Sequence, residues 1–120
     1  MKLKLLDLQE AIDKVKENAK EKLARGENAD EFVNIGEADG FKLYATAGKT
    51  IKDAAPNSFH ENPRDVFMLL LEGEMEFTFE EGEKTTIKKG QCFVLPKYLR
   101  HRCVFKKMTT ALEGIYEEGL

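Results

Sequence analysis

The chain has no tryptophan, two histidines, two cysteines and three prolines in 120 residues. Each scarcity excludes something. Cys92 and Cys103 are too few for a secreted disulfide scaffold. No signal-like segment opens the sequence, so the thiols are expected to be reduced in a cytoplasmic protein. No apolar run approaches the length that spans a bilayer. Neither sign of charge dominates. A formal net charge of −3 favours neither nucleic acid nor an anionic membrane surface as a partner. Low-complexity segments and internal repeats are also missing.

What remains is the material of one globular domain. Apolar residues make up 42% and charged residues 34%, enough to build a core and keep it in solution. Residues 7 to 25 read as an amphipathic helix, because Leu8, Ile12, Val15, Ala19 and Leu23 recur at helical spacing. Asp7 and Glu10 have the spacing of a capping box, and Gly26 is placed to end the helix. Beyond Gly26 the period changes. Phe32 to Ile35, Phe41 to Ala45, Val66 to Leu71, Met75 to Phe79, residues 84–88, Phe93 to Leu95, Cys103 to Phe105 and Ala111 to Tyr116 read as short strands. Residues 54–57 read as a loop, Glu81-Gly82-Glu83 as a hairpin turn and Lys89-Gly90 as another turn. Many short strands without alternating helices predict an all-β sandwich or barrel. The expected division is a helical segment, 1–30, packed on a barrel, 31–120.

Two spaced series stand within this pattern. The first runs His60-Glu61-Asn62, Val66, Gly73. The second runs Gly90, Pro96, Tyr98, His101, Phe105. From Ala54 to Phe105 they resemble the paired motifs of the cupin superfamily, in register throughout. His60, Gly73, Gly90, Pro96 and His101 match in kind. Ala54 replaces a Gly, Asn62 a His, Val66 a Glu, Tyr98 a Gly and Phe105 an Asn. The resemblance implies a cupin jelly-roll β-barrel preceded by an α-helix. It also implies a homodimer, because the apolar run Val66 to Leu71 needs cover on the face turned away from the interior. The N-terminal helix is the alternative cover.

In metal-binding cupins, three His and one Glu hold a divalent ion. Here His60 and His101, the only histidines, keep their places. The implied metal ligands are therefore His60 and His101, with Cys103 as a third, since it lies two residues on and shares a strand face. The ion would be Fe, Mn, Ni, Zn or Cu. Asp65, turned inward by a bulge, is another way to complete the set. His60, Asn62, Tyr98 and His101 are the implied contacts of a small-molecule ligand. Against these stand plainer roles: hydrogen-bonded histidines, core cysteines, packing for Met68 and Met75, and solvated surface for Arg64, Arg100 and Arg102. Two functions stay open. One is a barrel that binds a small polar ligand or a metal. The other is a metal-dependent enzyme of the oxygenase, sugar-phosphate isomerase or decarboxylase kind, with Glu61 or Tyr98 as acid or base. A protein that docks partners through its helix is a third and weaker reading, because the helix stripe is expected to be buried.

Overall fold

The computed structural model describes residues 5–53 and 58–116. The 54–57 loop, with the Ala54 position of the first motif, lies outside the described residues.

Helix α1, Leu8–Ala24, begins at Asp7, whose carboxylate accepts the Glu10 N–H at 3.0 Å. Gly26, with φ +76°, closes it. The Gly26 and Glu27 amides return to the Leu23 and Lys22 carbonyls at 2.9 and 3.1 Å, which satisfies carbonyls the helix would otherwise leave open. Ile12, Val15 and Ala19 are buried against Ala29, Ala45 and Ala47, whose small side chains let the helix lie close on the sheet.

Eight strands follow: β1 (Ala29–Ala38), β2 (Phe41–Lys49), β3 (Val66–Glu72), β4 (Glu74–Phe79), β5 (Lys84–Lys88), β6 (Cys92–Leu95), β7 (His101–Phe105) and β8 (Thr109–Tyr116). They form two antiparallel sheets, ordered β1-β2-β8-β3-β6 and β5-β4-β7. This is the all-β cupin fold with one N-terminal helix. Among the described residues, the sheets are not closed into a barrel by continuous ladders. Single hydrogen bonds tie their corners, such as the Thr50 N–H to the Phe105 carbonyl at 2.9 Å. The five-stranded sheet is also wider than its partner, so β1 and part of β2 overhang.

Register assigns the faces. Ala29, Ala45 and Ala47 meet the helix, so their neighbours in sequence point the other way, between the sheets. Gly48 confirms the assignment: a Cβ there would lie 2.6 Å from the Phe105 ring, an interior residue. Leu70, Met75, Phe77, Val66, Leu95 and Ala111 form the core between the sheets. The chain crosses from one sheet to the other at Gly73, where φ is +97° and a Cβ would come within 2.6 Å of the Met108 carbonyl. No L side chain fits that corner without strain. A hairpin not read from sequence joins β1 to β2 through Asp39 and Gly40, both at positive φ, 50° and 82°. Asp-Gly at positive φ is the type I′ signature, and the dipeptide was visible. No described helix is long and apolar enough to cross a membrane.

Candidate functional site

The two histidines meet. His60 lies outside the named strands, yet it pairs with His101 at the start of β7 through an isolated antiparallel bridge. Each donates its backbone N–H to the other's carbonyl at 2.9 Å. Residues opposed in this way share a face, and the imidazole centroids are 4.4 Å apart at 62°. The His101 ring also meets the edge or face of Phe77 at 5.7 Å.

The rings differ in environment. His60 is exposed, whereas His101 is 3% exposed. His101 Nδ1 lies 2.8 Å from the Leu99 carbonyl, which accepts only, so Nδ1 carries the proton and Nε2 keeps its lone pair. Burial pushes the His101 pKa below the usual 6.5. The Leu99 carbonyl opposes the shift and the His60 charge adds to it. At neutral pH His101 is a neutral acceptor.

The other sequence candidates are spread between the interior and the outer surface. Cys103 shares the inward face of β7 with His101, packs with the interior core, and has its thiol pushed up to about 12 by burial and then by the Asp30 charge. It is a protonated thiol at neutral pH. Asn62 and Tyr98 are joined by the Tyr98 N–H donating to the Asn62 carbonyl at 2.8 Å. Tyr98 holds φ at +65° and is 60% exposed. Asp65 is not turned inward: its carboxylate accepts the Lys97 N–H at 2.8 Å, and Val66 is buried core. Arg100 grips Glu80 at 2.7 Å and Glu61 at 3.5 Å, which directs Glu61 to the outside. Arg102 stacks over the Phe59 ring at 5.3 Å. Met75 is buried core and Met68 packs beside it.

Two residues were missed. Asp30 on β1 and Glu113 on β8 take the inward parity of the five-stranded sheet. Burial and then the Asp30 charge push the Glu113 carboxyl up to about 6. Burial also raises Asp30, with Glu31 adding to the rise and His60 opposing it. Asp30 is exposed by area at the overhanging rim, yet protein surrounds it closely enough for desolvation to lead. The readable signal was Glu113 in alternation with Ala111 and Ile115, a carboxylate on an apolar face.

Residues 50–112 match the family model of the Cupin domain. The chain is a cupin. This cupin is similar in structure to a protein from Neisseria meningitidis, with a TM-score of 0.67 and 19% identity over 95% of this chain and 100% of that one. It is similar to a cupin-2 domain containing protein from Shewanella frigidimarina, at 0.61 and 17% over 79% and 88%. It is also similar to the Fe(II) form of HppE, at 0.56 and 13% over 71% and 48%. At such identities the likeness is one of fold. No curated protein sequence matches this cupin.

The donor set does not fit the ion of metal-binding cupins. Two of the four motif positions hold Asn62 and Val66, and Val66 offers no donor atom. Among the described residues, no group of three or more His, Cys, Asp and Glu side chains is placed to hold a metal.

Proposed function

We propose that this cupin binds a small polar molecule between its two sheets, with His60 and His101 as the central contacts and Asn62 and Tyr98 at the entrance. The observation that carries this reading is the histidine pair. Both imidazoles of the chain share one face, and the buried one has Nδ1 tied to a backbone carbonyl, so Nε2 is left to accept a hydrogen bond. A ligand N–H or O–H could donate to that nitrogen. The reading includes a homodimer. Helix α1 packs on β1 and β2, while Phe67 and Val94, paired in register on β3 and β6, leave apolar surface on the same outer face. A second copy would cover it.

The test compares the native chain with the His60→Ala/His101→Ala double variant. Both are to be examined by elemental analysis and by thermal-shift screening of small polar compounds. Expected are negligible metal in both proteins, an unchanged circular dichroism spectrum, and ligand stabilisation in the native chain only. Near-stoichiometric Fe, Mn, Ni, Zn or Cu lost in the variant would replace this reading with the metal-dependent enzyme. Loss of folding would make the histidines structural.

A further inference from the structure

The end of β4 and the start of β7 frame a cleft that neither histidine lines. Phe79, Glu80, Glu81, Tyr98, Leu99 and Arg100 line it, and its volume is about 400 Å³, within the range of small-molecule sites. Phe79 is the cross-strand partner of His101, so the cleft adjoins the wall that carries the histidine pair without including it.

The apolar part of the lining is built around a strained aromatic. Tyr98 has φ +65°. Among the described residues, every other position at positive φ holds a glycine or Asp39, so Tyr98 is the one bulky side chain kept in that conformation. A glycine would make the same turn without strain. What this residue adds is its ring, and it is 60% exposed. The Tyr98 N–H, held by the Asn62 carbonyl at 2.8 Å, fixes its place. Half-buried Phe79 and Leu99 extend the apolar surface.

The polar part is an ion pair held from several sides. Arg100 Nε donates to Glu80 at 2.7 Å, Nη1 to Glu61 at 3.5 Å and Nη2 to the Phe59 carbonyl at 3.4 Å. The Glu80 N–H in turn donates to the Arg100 carbonyl at 3.2 Å. Arg100 has further N–H donors and Glu80 further lone pairs, and both side chains are about half exposed. The cleft therefore offers donors and acceptors side by side, on charges that already neutralise each other. Exposed Glu81 adds negative charge and disfavours an anion. A fitting ligand is neutral, has one apolar face for the Tyr98 ring, and carries adjacent hydroxyls that both donate to a carboxylate and accept from a guanidinium. A sugar ring, with its C–H face and vicinal hydroxyls, meets all three demands.

We propose that this cleft binds a neutral sugar, stacked on Tyr98 with its hydroxyls on the Glu80–Arg100 pair. The proposal goes beyond the reading above, because it needs neither histidine.

Amide-resolved NMR titration of the full chain tests it. The probes are glucose, mannose, galactose and cellobiose, with glucuronate and benzylamine as anionic and cationic controls. Expected are saturable shifts of the 79–81 and 98–100 amides with at least one neutral sugar. Tyr98→Gly, which suits the turn, should weaken that binding roughly three- to tenfold, the range of one lost ring contact. Glu80→Gln, at an exposed ion pair that contributes little to folding, should weaken it roughly tenfold. Tyr98→Phe should retain it. No saturable shift with any neutral sugar would overturn the proposal. So would tighter binding of either control, or equal binding by Tyr98→Gly. Shifts kept in Tyr98→Gly but lost in a folded His60→Ala/His101→Ala chain would place the sugar between the sheets, overturning this site while supporting the earlier reading.

Discussion

The two ends of the space between the sheets follow the same side-chain parity on different strands, and they are lined with opposite chemistry. At the end where sheet faces sheet, Leu70, Met75, Phe77 and Phe105 fill the gap. Where β1 and β2 overhang, the same parity presents Asp30, Phe32 and Tyr44, with Glu113 beside Tyr44 on the central strand β8. A strand specifies which side chains point inward; what lies opposite decides whether they become core or lining. Burial raises the carboxyl of half-buried Glu113, so its charged form costs stability there.

The contrast is most sharply broken at the apolar end. Leu70 is fully buried, so Leu70→Ala should destabilise by about 2–5 kcal/mol through lost burial and the cavity left behind. Urea denaturation measures it, and a cost below about 1 kcal/mol would mean the two ends are not so different.

At the polar end the sign should reverse. The folded-state value of Glu113, about 6, lies above its ordinary 4.5. The folded chain therefore holds that proton more tightly than the unfolded chain does. The Glu113 contribution is intact below about 4.5 and is lost as the pH rises through about 6. Glu113→Gln should stabilise the fold by about 1–2 kcal/mol at pH 7.5 and by almost nothing at pH 4. His101 works in the opposite direction: its pKa is lowered from 6.5, so stability falls as the pH drops below that value. Denaturation across pH in the Glu113→Gln variant should expose this histidine slope with less of the opposing carboxylate contribution.

The smallest effect belongs to the entrance. Tyr98 occupies a left-handed conformation at a position where cupins favour Gly. Tyr98→Gly relieves that strain but loosens the unfolded chain, for a net gain of up to about 1 kcal/mol. If Tyr98 closes over the ligand, the same substitution should speed ligand release, which stopped-flow displacement would detect.

The helix and the strands were legible because their signals are local. Asp7, the Leu8-to-Leu23 stripe and Gly26 mark the helix, and two-residue alternation marks Met75 to Phe79. The two motif series were legible through spacing, including the shared face of His101 and Cys103. The inward placement of Asp30 and Glu113 was not. Asp30 is inward only because Ala29 beside it is covered by α1, a fact that exists once the helix has docked. Glu113 carried a parity signal, but parity alone does not say which face of a sheet is the interior. Asp65 misled for a related reason. Its position beside the family's Glu suggested a ligand, whereas its carboxylate is spent on the Lys97 amide.

The His60–His101 bridge is one reciprocal pair of hydrogen bonds, joined by the Tyr98 N–H to the Asn62 carbonyl but not extended into a ladder among the described residues. A ladder resists shear because a slip must break many bonds at once; a lone pair resists it with two. The His60 ring is therefore held less firmly than the His101 ring, which sits in the β4–β7 ladder. A molecule that touches both rings would act as a clasp, fastening residues 58–62 to β7 by a route the backbone alone does not supply.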